Sequence, residues 1–255
     1  MTSIRKYPRT RHLLDSRRQP GEEDSIPAGF AEIAGRHIVV EEKVDGANAA
    51  ISFDAMGDGV TFLSEPAKEE FEMTGPSALK LFVSSSTADA DLFVVMRVFS
   101  PEMKEVVFQG AIDPHTPVAQ GWLRASHRKL DKKLSTPWRP YHTHDKKQPL
   151  KKGEVVELDI EIWPTSIVVP AGYRVALTVR GKDYEYGGGS GGRLSNFKNE
   201  LKGCGPFLHD DPRDRPPKIF SGVTTLHFGG KRQAFMLVPM IPPKKAAQFS
   251  RKRRR

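Results

Sequence analysis

Between positions 156 and 162, Val156, Leu158, Ile160 and Ile162 alternate with Glu157, Asp159 and Glu161. Only an extended chain sends alternate side chains to opposite faces, so this run dictates a strand with one face in a core and the other in water. A second run, from Tyr173 through Val175, Leu177 and Val179 to Arg180, has the same extended character. Between them, Trp163-Pro164 and Pro170-Ala171-Gly172 are breakers expected to end one strand before the next begins. Further strands are predicted over 78–84, 92–99, 105–112, 121–126, 224–228 and 235–241, and helical periodicity is scarce. About eight to ten strands between turn signals predict a mainly β fold, a double sheet of the jelly-roll type. Residues 128–152 and 181–220 collect much of the Pro, Gly, His and charge, and are expected to cross a face or edge of the sandwich or meet a neighbouring domain.

A chain of 255 residues can bury a sizeable core. It has no apolar run near the ~20 residues of a membrane-spanning helix, so no membrane partner is expected. The basic start lacks the apolar centre of a secretory signal, and the expected location is cytoplasmic. Cys204, the single cysteine, lies between two glycines, excludes an internal disulfide framework and reads as an inert thiol. Much of the net charge of +9 sits at the ends, including all of residues 251–255. Those ends read as solvated tails, or alternatively as a non-specific nucleic-acid contact or nuclear-import signal. The turn Met56-Gly57-Asp58-Gly59 is taken as the main boundary. It separates a small α+β segment, 1–58, from the sandwich, 59–243, and a basic tail, 244–255. Within the first segment a short helix is expected around 30–33 and a hairpin-like pair over 37–41 and 49–53.

Three longer strings are more specific. They are the run at 72–76, Asp113-Pro114-His115-Thr116-Pro117 leading into Gly121-Trp122-Leu123-Arg124-Ala125-Ser126-His127-Arg128, and the string from Asn196 to Asp211. Together they resemble the C-terminal domain of the Xaa-Pro dipeptidyl-peptidase and cocaine-esterase-like (CocE/NonD) serine hydrolases. The resemblance implies a galactose-binding-like jelly roll that packs beside an α/β-hydrolase domain and leaves the catalytic triad to that domain. A Gly-x-Ser-x-Gly match does occur at Gly188 to Gly192, around Ser190. A nucleophile elbow needs a strand before the serine and a helix after it, whereas this serine sits among glycines in a long connection. His142 and His144, with His209, Asp210 and Asp211, could supply metal ligands or be ordinary loop residues, and no metal is assigned. Trp122, Trp138 and Trp163 read as core and loop anchors rather than as a carbohydrate platform.

Near the start, Val39-Val40-Glu41-Glu42-Lys43-Val44-Asp45-Gly46-Ala47-Asn48 resembles the Lys-x-Asp-Gly nucleophile motif of bacterial RNA ligases and nucleotidyltransferases. By that resemblance Lys43 would attack the α-phosphate of ATP, Glu42 would lie beside the adenine, and Asp45 and Gly46 would shape the loop presenting the lysine. The amine would have to be neutral, well below the ordinary lysine pKa of ~10.4. The downstream acidic and lysine motifs of that superfamily have no counterpart after Phe53. The sequence therefore leads to an accessory sandwich of the hydrolase type, inactive alone, with an α/β-hydrolase catalytic domain as its partner in trans and no cofactor. The alternative is an adenylating enzyme using Lys43 with ATP and Mg²⁺. A third reading is a nucleic-acid binder acting through the basic ends.

Overall fold

A computed structural model of the chain describes the strands β1 (His12–Leu13) and β2 (Pro27–Ala28) and residues 49–110, 113–187, 201–205 and 208–241. The chain divides into two compact units, Met1–Val39 and Val40–Arg255. In the first, β1 and β2 pair in parallel. The predicted short helix at 30–33, the hairpin arm at 37–41 and the basic tail lie outside the described residues.

The second unit holds a β-sandwich. Its six-stranded sheet contains β3 (Ala49–Asp54), β5 (Phe71–Ser85), β9 (Val156–Val169), β11 (Val223–Phe228), β12 (Phe235–Leu237) and β13 (Met240–Ile241). The five-stranded sheet contains β4 (Val60–Leu63), β6 (Asp91–Phe99), β7 (Glu105–Val106), β8 (Ala119–Arg124) and β10 (Arg174–Arg180). All strand pairs within these sheets are antiparallel. Helix is confined, among the described residues, to a 3₁₀ turn at Ala125–His127 and one turn of α1 (Pro217–Phe220). No helix there is long and apolar enough to cross a membrane.

The alternation of apolar and charged residues over Val156–Ile162 sets the core. Leu158, Ile160 and Ile162 are fully buried, as are Leu79, Leu81 and Val83 on the paired β5 and Leu226 on β11. Facing them from the other sheet are Leu92, Val94, Met96 and Val98 of β6, Leu123 of β8 and Val179 of β10. Each such side chain contributes about 1.5–3 kcal/mol by leaving water. Among the buried side chains of the core only Phe53 is aromatic, and none of the three tryptophans is in it.

Four features depart from the sequence reading. Trp163 and Pro164 do not end a strand: β9 runs through them for 14 residues. Gly75 pairs with Thr165 and Ser77 with Ile162, so two residues of β9 face the single residue Pro76. This is a β-bulge, and it forms where the ladder is already short of donors because both strands place a proline there. The turn at Met56–Gly59 is not between domains in this structure. It joins β3 to β4, and β3 is hydrogen-bonded along its length to β11, from Ala49↔Phe228 to Asp54↔Val223. Gly59 has φ +71°, and a Cβ there would lie 1.8 Å from the Val179 carbonyl oxygen, which explains the glycine. The strand expected over 105–112 stops at Val106, and the one over 235–241 is interrupted at Val238-Pro239.

Candidate functional site

The described surface is indented where β8 of one sheet meets β9 of the other. The two strands approach so closely that a Cβ on Gly121 would lie 2.0 Å from the Glu161 carbonyl oxygen. Asp91 pairs with Arg124 and Phe93 with Trp122 across β6 and β8, which places these side chains together on the outer face, since their neighbours Leu92 and Leu123 face the core. The bulge brings Trp163 against Trp122, ring centroids 4.9 Å apart and edge-on at 70°. Tyr141, His142 and His144 arrive from the 128–152 connection, and His209 and Asp214 from the segment before α1. Together they enclose a cleft of about 570 Å³.

Most charges at the cleft are neutralised within the protein. Asp91, nearly buried, accepts from Arg124 at 2.8 and 3.0 Å and from Arg215 Nε at 2.9 Å. Arg215, also buried, donates to the carbonyls of His209 at 2.7 Å and Gly181 at 2.6 Å and stacks over Phe93. Arg124 reaches Asp214 at 3.1 Å as well and lies over Phe220. These bonds, Asp91 first, hold Arg124 more firmly protonated than an ordinary arginine, and Arg124 holds Asp214 below the ordinary carboxylate range. Asp183 accepts from the His209 backbone N–H at 2.6 Å and lies 2.9 Å from its Nδ1. Beside this set, His127 Nδ1 and His144 Nδ1 are 3.0 Å apart, and the ring of His142 lies 6.0 Å from that of His144. Burial, then the neighbouring His144, pushes the pKa of His127 and of His142 down. His142 Nε2 is buried without a hydrogen-bond partner.

Chemically, this is a place to bind. Hydrolysis by covalent catalysis needs a nucleophile, a base and an orienting acid in contact. Asp183–His209 is an acid and an imidazole, but the aromatic neighbours of that ring are Phe93 and Trp122. On the other sheet, Ser84 Oγ is 2.8 Å from His227 Nε2, and among the described residues no carboxylate is bonded to that imidazole. No Ser-His-acid set forms among the described residues. Cys204 is no substitute, because burial, with Asp183 and Asp113 nearby, pushes its thiol up to about 11. Among the described residues no group of three His, Cys, Asp or Glu side chains is placed to hold a metal ion. His142, His144 and His209, weighed from the sequence as ligands, do share the cleft, whereas Asp211 pairs with Arg213.

Glu42, Lys43, Asp45, Gly46 and Ser190 lie outside the described residues. Trp138 is exposed, and Trp122 and Trp163 are cleft residues rather than core anchors. Sequence reasoning missed Asp91, Arg124, Asp183, Asp214 and Arg215. They are separated by up to 124 residues, and no local pattern announces an ion pair closed by folding.

Comparison with known proteins fits this geometry. The family model described as the X-Pro dipeptidyl-peptidase C-terminal non-catalytic domain matches residues 39–236, a span that runs through Glu42, Lys43, Asp45 and Gly46. Two proteins named "Putative serine esterase", from Mycobacterium bovis and Mycobacterium tuberculosis, are each 27% identical over 154 residues, 58% of this chain. The matched part is 21% of the length of each. A crystal structure of a CocE/NonD family hydrolase from Staphylococcus aureus has the same fold over 80% of this chain, with a TM-score of 0.64 at 23% identity. The match takes in 34% of that hydrolase.

Proposed function

The chain belongs to the X-Pro dipeptidyl-peptidase C-terminal non-catalytic domain family, and from that premise we propose that it is the accessory sandwich of a CocE/NonD-type serine hydrolase. In this reading it performs no hydrolysis by itself and works beside an α/β-hydrolase catalytic unit outside these 255 residues. The observation that carries the reading is the cleft: charged and imidazole groups that elsewhere would drive acyl transfer are tied to one another, with no nucleophile among the described residues in contact with them. Such a constellation can orient a ligand or a partner's loop, and it has no group to form an acyl intermediate.

An exposed apolar surface supports such a partnership. Phe235, Leu237 and Ile241 on β12 and β13, with Val168 on β9, are exposed large apolar side chains on the outer face of strands that flank β5. Exposed apolar groups gathered on one sheet mark a contact surface. The relatives are also much longer than the matched part, so in them additional chain accompanies the domain.

The purified chain is expected to leave p-nitrophenyl butyrate and Xaa-Pro-p-nitroanilides unhydrolysed and to take no label from a fluorophosphonate serine probe. Turnover that disappears in Ser84→Ala, Ser190→Ala or His209→Ala would overturn the reading.

A further inference from the structure

We propose that the cleft at the β8–β9 corner binds an uncharged saccharide, one or two rings in size, against the Trp122–Trp163 pair. The proposal rests on the non-catalytic reading of the same cleft and adds the class of ligand.

The lining excludes other ligand classes in turn. An anion would need a cation to spare, but Arg124 is held by Asp91 and Asp214, and Arg215 is spent on Asp91 and two carbonyls. A cation would need a free acid. Asp91 and Asp214 are already paired, and Glu161 stands 3.8 Å from Arg139. A wholly apolar ligand would bury imidazole, guanidinium and carboxylate groups without giving hydrogen bonds in return, which is unfavourable. A metal lacks a third ligand among the described residues.

What remains open to a ligand is aromatic surface and the spare lone pairs of carboxylates whose charge is already met by arginine. Trp163 is 60% exposed although it is packed edge-on to Trp122, so its ring face is presented at the mouth. Tyr141 is also exposed beside it. A pyranose offers an apolar C–H face to such a ring, and its hydroxyls can both donate and accept. The exposed carboxylates of Glu161 and Asp214 keep lone pairs that their arginine partners do not use, and these can accept from such hydroxyls. The volume, about 570 Å³, is in the range of small-ligand pockets. The bulge contributes to the site because it keeps β9 paired on both sides of Trp163 while presenting that ring.

The test uses the full chain with methyl β-glucoside, methyl β-galactoside, maltose and cellobiose, read by saturation-transfer NMR and tryptophan fluorescence. Saturable binding of at least one is expected, weakened at least tenfold by Trp163→Ala and by Glu161→Ala, and unchanged by Trp138→Ala. Two variants are used because Glu161 is paired only loosely, so its loss does not threaten the fold. Choline and benzoate serve as cationic and anionic probes and are expected not to compete. The assignment is overturned if none of the four sugars binds at about 20 mM, if Trp163→Ala and Glu161→Ala both bind as the parent does, or if an ionic probe displaces the sugar. Hydrolysis of a glycoside or ester would instead overturn the non-catalytic reading, so the two failures are distinguishable.

Discussion

Arg215 shows how a single side chain fixes a surface. Its guanidinium joins Asp91 on β6 to the carbonyls of Gly181 and His209, so one residue ties the segment before α1 to the five-stranded sheet. A planar fork can serve three acceptors at fixed angles, which an ammonium cannot. Arg215→Ala would strand two carbonyls and half of the Asp91 pairing in a buried place. We expect a loss of about 3 kcal/mol, seen as a lower urea midpoint, with less than half restored by Arg215→Lys. Arg213, two residues away, forms a fully exposed ion pair with Asp211, and Arg213→Ala is expected to leave the midpoint unchanged. From the sequence the two arginines are indistinguishable. Both lie in one charged loop, and their difference comes from which of them folds over Phe93. Trp122 and Trp163 illustrate a related point: size and hydrophobicity suggest a core, but the buried positions here are filled almost entirely by aliphatic side chains at alternate strand positions.

Among elements, the strands with strict alternation were legible and the places where two sheets touch were not. β9 is legible up to Ile162 because its pattern carries its own periodicity. Its continuation through Pro164 depends on Pro76 lying opposite, which is a pairing fact. Gly121 is similar, being ordinary within β8 but required by the backbone of β9. Gly121→Ala should force those strands apart, destabilise the sandwich by about 2 kcal/mol in chemical denaturation and separate Trp122 from Trp163. The 3₁₀ turn at Ala125–His127 and the connection that follows it carry their own pH dependence. Burial and the neighbouring imidazole of His144 favour the neutral forms of His127 and His142, while Lys147 and Arg124 add to this for His127 and Asp89 opposes; for His142, Asp159 opposes. The unfolded chain begins to take up these protons near the ordinary value of 6.5, before the folded chain does. Stability from these groups is therefore complete above that pH and lost as pH falls through the lowered folded values. The urea midpoint should be lower at pH 5.5 than at pH 7.5, and His144→Ala should narrow the gap. Protonation of Asp214, held down by Arg124, adds a separate loss only at more acidic pH.

For the whole molecule, the sandwich was legible because it repeats one simple rule, and its boundary was not because the turn at Met56–Gly59 has the composition of a linker while connecting two strands. The strands before and after such a turn look alike in sequence whether or not they share a sheet. Here they lie in different sheets of one sandwich: β3 pairs with β11, and β4 with β10. Phe53 is nearly buried in the common core, Ile51 packs against it, and Ser52 Oγ meets Thr225 Oγ1 at 2.7 Å. A chain shortened to begin at residue 40, where the second compact unit starts, should keep a single cooperative unfolding transition close to that of the full chain. A chain beginning at residue 59 would lose β3, expose the edge of β11 and remove Ala55, whose N–H donates to the Gly222 carbonyl at 2.9 Å. An uncovered edge offers a row of unpaired backbone groups to any other strand. We expect the shorter chain to aggregate or to unfold at much lower urea, measured by light scattering and circular dichroism. If both truncations behave alike, β3 contributes nothing to the sandwich and the division belongs at the turn.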